Sequence, residues 1–169
     1  KFDGVDDYVE VPDDRSLDIT DKITIAAWIK LASVNQPQLY PMIIDRGDLQ
    51  GRYLMRFDGQ TDSPRLRLIV WDGGSQQLNA PSSKTDWNAD EWYHVVGTYD
   101  SSNGKWAIYV NGKLDNSGVG EIGPWGSSTS KLYISGQGDR TFNGIIDNIR
   151  IYRRALTPEE IRELYELTY

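Results

Sequence analysis

The sequence predicts an all-β domain, a sandwich or a barrel, closed by one C-terminal helix. Three observations carry this: apolar residues alternate with period two in many short runs, turn residues separate those runs at roughly 8–14 residue spacing, and helical periodicity occurs only at the chain's end. The runs are Tyr8 to Val11, Ile23 to Leu31, Pro41 to Asp45, Arg52 to Phe57, Arg65 to Trp71, Trp92 to Tyr99, Lys105 to Val110, Lys131 to Ser135 and Asn143 to Tyr152. Ile23 to Leu31 is long and nearly continuous, as a central strand requires, whereas Arg65-Leu-Arg-Leu-Ile-Val-Trp71 keeps its charges on one face.

Turn chemistry fits the same division. Asp58-Gly59, Asp72-Gly73-Gly74, Asn103-Gly104 and Asn111-Gly112 supply residues that tolerate positive φ, and Val110-Asn111-Gly112-Lys113 is the clearest hairpin signal. Thr157-Pro158-Glu159-Glu160 offers a cap, a proline at the first helical position and a glutamate three residues after the cap. Ile161, Leu164, Tyr165 and Leu167 then form an apolar stripe that docks the helix on the sandwich. The Gly/Ser-rich stretch from Ser117 to Ser130 reads as one long loop.

A chain of 169 residues suits a single domain over residues 1–169, long enough to bury a substantial core. Its 25 acidic against 18 basic residues, a net charge of -7, disfavour phosphate attraction, so nucleic acid is not an expected partner. No apolar run approaches the ~18 residues of a spanning helix, and no membrane insertion is expected. The absence of cysteine removes thiol nucleophiles and thiolate metal sites. Ordered-looking sequence begins at once with Lys1-Phe2-Asp3-Gly4 and no methionine, which reads as a segment of a larger chain, covalently linked to other domains.

The ordered set Phe2-Asp3-Gly4-Val5-Asp6-Asp7-Tyr8-Val9, Ile23-Thr24-Ile25-Ala26-Ala27-Trp28-Ile29, Ile44-Asp45-Arg46-Gly47-Asp48, Trp92-Tyr93-His94-Val95-Val96-Gly97-Thr98-Tyr99-Asp100 with Ile108-Tyr109-Val110-Asn111-Gly112, and Phe142-Asn143-Gly144-Ile145-Ile146-Asp147-Asn148-Ile149-Arg150-Ile151-Tyr152 spans nearly the whole chain. It resembles the laminin-G-like jelly-roll domains of the concanavalin A-like lectin and glucanase superfamily. The resemblance implies two antiparallel sheets face to face, with first and last strands adjacent. It also implies a non-catalytic, secreted or cell-surface module that commonly binds carbohydrate and holds a structural calcium ion.

Calcium takes six to eight oxygen ligands, and the resemblance places Asp3-Gly4 of the first strand beside Asp147 of the last. Asp3, Gly4 and Asp147 are therefore the expected metal site, with carboxylates from both aspartates and a backbone carbonyl near Gly4. Asp147 also interrupts an apolar run, where a carboxylate needs a partner; the competing reading is that it faces solvent or accepts backbone hydrogen bonds. Asp6, Asp7, Asp13 and Asp14 read as solvated turn residues, and a second ion near Asp45 and Asp48 is the weaker option.

A sugar presents an apolar C–H face and a rim of hydroxyls, so its site pairs exposed aromatic rings with polar groups. Trp28 and Trp92 belong to framework strands and are assigned to the core, while Trp71, Trp87 and Trp125 sit in loop-like surroundings. Trp71, Trp125, Arg46, Tyr40 and Asp139 are the expected carbohydrate contacts, with Asp45 and Gln137 beside them. Catalysis lacks its inventory: the Glu-x-Asp-x-Glu type of run that marks the superfamily's glucanases does not occur, and the lone His94 reads as structural. The expected function is thus a carbohydrate-binding module, extracellular or at the cell surface, that takes a polysaccharide or oligosaccharide. A protein-interaction or adhesion module, or a purely structural domain, is the alternative.

Overall fold

The computed structural model describes residues 1–47, 53–72, 77–120 and 122–168. The strands are β1 (Phe2–Asp3), β2 (Val9–Val11), β3 (Lys22–Leu31), β4 (Met42–Arg46), β5 (Tyr53–Phe57), β6 (Leu66–Trp71), β7 (Gln77–Pro81), β8 (Trp92–Asp100), β9 (Lys105–Val110), β10 (Lys113–Val119), β11 (Leu132–Ile134) and β12 (Asn143–Tyr152), followed by helix α1 (Pro158–Thr168). They form two antiparallel six-stranded sheets, β1-β12-β3-β8-β9-β10 and β2-β11-β4-β5-β6-β7. The first and last strands are adjacent, Phe2 opposite Gly144. This is the expected β-sandwich, with a jelly-roll arrangement. Among the described residues no helix is long and apolar enough to cross a membrane.

Period-two alternation sends one face of each sheet into a common layer. Ile23, Ile25, Ala27, Ile29 and Leu31 of β3 and Tyr53, Met55 and Phe57 of β5 all enter the same buried cluster. The hairpin at Asn111-Gly112 has both residues at positive φ, 50 and 72°, and joins Val110 directly to Lys113, as the sequence requires. The structure differs in two places. Gln77 to Pro81 forms an edge strand that its mixed composition hides, and Ser117–Val119, read as loop, completes β10.

The outer faces of the two sheets have different fates. On the first sheet, Ala26, Val96 and Tyr109 are apolar and are covered by Leu156, Ile161 and Leu164 of the C-terminal segment. The capping box forms as read: the Thr157 N–H donates to the Glu160 carboxylate at 2.9 Å and the Glu160 N–H to Thr157 Oγ1 at 3.3 Å. Arg154, at 2.6 Å, together with the Thr157 N–H pulls the Glu160 carboxyl down to about 2. Trp28 faces this outer side, stacked on Tyr165 at 5.6 Å, with His94 tilted against it at 5.3 Å. Trp92 departs from its core assignment: it stands 41% exposed, edge-on to Trp28 and beneath the Lys30 ammonium.

Two residues expected to contact sugar are structural instead. Arg46 lies on the inner face of β4 and is 1% exposed. Its guanidinium donates to the carbonyls of Leu17 and Ser128 at 3.1 and 2.9 Å and to Asp13 and Asp18 at 2.6 and 3.2 Å. Four acceptors from two segments, the β2–β3 connection and the loop before β11, thereby converge on one buried cation, which lies away from any surface ligand. Trp125 is 3% exposed because its loop folds back over the open end of the sandwich: its N–H donates to Thr20 O at 2.7 Å, and its ring packs against Tyr99 at 5.8 Å. The Tyr99 hydroxyl donates to the Ile122 carbonyl in the same loop. Trp87 is also buried, its Nε1 donating to Pro64 O at 3.0 Å and its ring edge-on to Phe57 and Tyr93.

Replacing Arg46 with Met leaves the Ser128 carbonyl without the guanidinium and the Leu17 carbonyl with only the Tyr53 hydroxyl and the Ile19 N–H, while the half-exposed aspartates return to water. The expected loss is about 2–4 kcal/mol of unfolding free energy, measured as a drop in the urea midpoint. His94 yields a pH prediction. Burial, with a smaller contribution from Arg150, lowers its pKa to about 4. The unfolded chain then binds the extra proton between about pH 6.5 and 4, so stability is complete above that window and falls as pH drops through it. The expected decline is on the order of 2 kcal/mol, and His94→Phe, which retains a ring beside Trp28, is expected to flatten it in urea titrations at pH 7 and pH 4.5.

Candidate functional site

The outer face of the second sheet carries no helix. Registered pairing lines up Glu10, Tyr133, Asp45, Leu54, Ile69 and Asn79 in one row across all six strands, with Met42, Arg56 and Arg67 in the next. Met42, Leu54 and Ile69 form a small apolar cluster separate from the main core. They are the floor of a groove of about 290 Å³ whose walls are Tyr40, Arg56, Trp71, Gln77, Asn79 and Arg140.

Each wall residue is placed by its strand or by a neighbouring side chain. Trp71 follows Arg67 and Ile69 on the outward positions of β6 and pairs with Gln77 of β7. Tyr40 precedes β4 in a segment held to the β5–β6 turn by the Gly59 N–H on Leu39 O at 2.8 Å and the Gln60 N–H on Gln36 O at 3.0 Å. A side chain at Gly59 would bring its Cβ to 1.7 Å from Gln38 O, so this approach requires glycine. The Arg56 guanidinium lies over the Tyr40 ring at 4.3 Å and donates through Nη1 to Asp58 at 2.8 Å and to Phe57 O at 3.0 Å. Arg67 donates through Nε to both Asp58 oxygens, at 2.8 and 2.9 Å, and through Nη1 to Asn79 at 2.9 Å. Burial lowers the pKa of Arg56, while its neighbouring guanidinium groups, outweighing partial burial, hold the Asp58 carboxyl below the usual range.

Trp71 and Tyr40 thus share one groove, whereas Trp125 and Arg46 lie inside the sandwich. Asp139 is exposed on the single turn 138–140; its neighbour Arg140, rather than Asp139, lines the groove and stands 3.9 Å from Asp45. Gln137 is exposed on the same turn. Arg56, Gln77, Asn79 and Arg140 were not among the expected contacts. The Arg-Leu-Arg-Leu alternation of β6 is the signal that points to this face, because it aims Trp71 outward with Arg67.

The expected metal site does not assemble. Asp3 pairs with Asn143, and Asp147 lies four residues further along β12, about 13 Å away at the usual strand rise. Asp147 is exposed at a bulge between Asp147 and Arg150, accepting the Asn148 N–H at 2.7 Å, which is the competing reading. The Gly4 carbonyl accepts from Gln38 Nε2 at 2.8 Å. Asp3 instead gathers with Asp6 and Asp7, all exposed, with one carboxylate oxygen of each within 4.8 Å of the others. Two ligands of one calcium ion lie at most about 5 Å apart, so this oxygen-only set fits a hard cation where Asp147 does not. Donation from the Val5 N–H at 2.8 Å keeps the Asp3 carboxyl below its ordinary range. Asp48, of the second site considered, lies outside the described residues.

A larger groove, about 540 Å³, lies on the first sheet between β9, β10 and the segment leading to α1. Ala107, Tyr109, Leu114, Val119 and Leu156 line it together with the partly buried Trp106, which packs against the core, and with Asp100, Asn103 and Lys105; Tyr109 is buried.

Comparisons with known proteins agree with the architecture. The chain is 26% identical over 155 residues to the rat sushi, von Willebrand factor type A, EGF and pentraxin domain-containing protein 1, covering 84% of this chain and 4% of that protein. It is 34% identical over 117 residues to the human adhesion G-protein coupled receptor D1, covering 62% of this chain and 13% of the receptor. This chain is thus a small fraction of the length of those relatives. Among solved structures, domain 4 of the extracellular arabinanase AbnA from Geobacillus stearothermophilus, in complex with arabinotriose, superposes with a TM-score of 0.67 at 22% identity, over 94% of this chain and 72% of that one. The binding domain of Paraclostridial Mosquitocidal Protein 1 gives a TM-score of 0.73 at 20% identity, over 94% of this chain and 40% of that one. The Laminin_G_3 profile matches residues 3–162, and the chain belongs to that family of the concanavalin A-like lectin/glucanases superfamily.

Proposed function

We propose that this domain is a non-catalytic glycan-binding module of an extracellular or cell-surface protein. The observation that carries the reading is the groove on the uncovered sheet face, in which Tyr40 and Trp71 stand over an apolar floor beside Arg, Gln and Asn side chains. An aromatic ring takes the C–H face of a sugar, and planar amides and guanidinium groups take its hydroxyls. The arabinotriose-bound neighbour supports the ligand class. Binding of this kind raises the effective concentration of an attached domain near its substrate.

A second reading has its own observation. Leu114 and Val119, 57 and 70% exposed, flank the larger groove at the β10 edge, which suits contact with a protein, and one relative is an adhesion receptor. Calcium enters the proposal as a structural ion held by Asp3, Asp6 and Asp7 at the first turn, remote in role from the sugar.

Titration of plant, algal and host polysaccharides against tryptophan fluorescence tests the leading reading. Trp71→Ala is expected to weaken glycan binding by about tenfold or more, with Tyr40→Ala acting in the same direction. Binding that survives both changes intact refutes the groove. For the ion, saturating calcium is expected to raise the melting temperature, by the equivalent of about 2.7 kcal/mol at a hundredfold excess over Kd. Asp6→Asn is expected to abolish the rise; an unchanged melting temperature with and without chelator removes the ion from the proposal.

A further inference from the structure

We infer that the groove is built for an acidic glycan, one bearing carboxylates on its sugar rings, with Arg140 as the group that grips the carboxylate. This rests on the reading of the groove as a glycan site and names the chemical class of its ligand.

The charge pattern argues for it. The chain as a whole carries -7, yet among the described residues the ion pairs in and beside the groove set three guanidinium groups, of Arg56, Arg67 and Arg140, against two carboxylates, of Asp45 and Asp58. Asp58 is shared: it accepts from Arg56 at 2.8 Å and from Arg67 at 2.8 and 2.9 Å, and Arg67 is further spent on Asn79. One carboxylate therefore answers two cations, and the excess charge is fixed against the apolar floor.

Arg140 is the side chain with donors to spare. Its nearest carboxylate, Asp45, is 3.9 Å away, too long for a hydrogen bond, and its guanidinium makes none among the described residues. The side chain is 45% exposed and lines the groove beside Tyr40 and Trp71. A neutral sugar is served by amides and hydroxyls, which Gln77 and Asn79 supply. A planar fork of five N–H donors matches a carboxylate in bidentate geometry, and Arg56, held over the Tyr40 ring, adds a second fixed cation within the same groove.

The test uses the whole 169-residue chain in calorimetric titrations against polygalacturonate and alginate, the same polymers after reduction of their carboxyl groups to alcohols, a sulfated galactan and neutral arabinan. The expected result is an affinity for the acidic polymers at least about tenfold above that for their reduced forms, declining with added salt. Arg140→Gln is expected to bring that ratio close to one, and Arg140→Lys, which keeps the charge without the fork, to lower it as well; melting curves of both variants check that they are folded. Equal binding of acidic and reduced polymers, or tightest binding of the sulfated galactan, overturns the inference and leaves the glycan reading standing. Failure of every polymer to bind overturns that reading and this inference with it.

Discussion

A single constraint organises the molecule: each sheet has one face committed to the shared apolar layer, so every strand must place its other side chains on an outer face. What those outer faces carry decides the rest. The first sheet's outer side presents Ala26, Val96 and Tyr109, which need a cover, and α1 supplies it through Ile161 and Leu164. The second sheet's outer side presents Met42, Leu54 and Ile69 under aromatic, amide and guanidinium groups, and these polar groups shelter the apolar atoms without a helix. The groove is open because its own walls complete the burial.

Much of this was legible in the sequence, and where it was legible the reason is periodicity. The Ile23 to Leu31 run, the Asn111-Gly112 turn and the Thr157 capping box each combine a local pattern with a local structure, and each appears as read. Arg65 to Trp71 shows which way Trp71 faces, because its apolar residues Leu66, Leu68 and Val70 alternate with Arg67 and so assign the core to the opposite side. By contrast Tyr53-Leu-Met-Arg-Phe57 is apolar on both faces, so the outward role of Arg56 cannot be read from its own strand. Edge strands β7 and β10 were obscured for a related reason: partly exposed strands of mixed composition carry weak alternation.

The misassigned residues share a physical cause. Trp125 sits among Gly, Pro and Ser, a composition that signals a surface loop, yet a sandwich has open ends that something must close. A loop anchored by Thr20 and Tyr99 turns inward to do so, and its tryptophan becomes core. Arg46 stands beside Gly47, a turn residue that suggests the rim; in the structure it alternates inward and collects acceptors from two loops. Trp92 differs in the opposite direction, a framework tryptophan at the first position of β8 that stays 41% exposed and touches the covered face only through the edge of Trp28. Loop closure and helix coverage are tertiary facts with no local sequence period.

The contact between Gly59 and the Gln38 backbone reaches beyond local geometry. By pinning the segment before β4 to the β5–β6 turn, it holds Tyr40 under Arg56 through contacts of the protein itself. The conformational entropy of that side-chain pair is therefore surrendered during folding, and a ligand entering the groove meets a surface already ordered. For the proposed glycan ligand, shape and charge are imposed by the fold in advance, and discrimination then falls to the chemistry of the ligand rather than to adjustment of the protein.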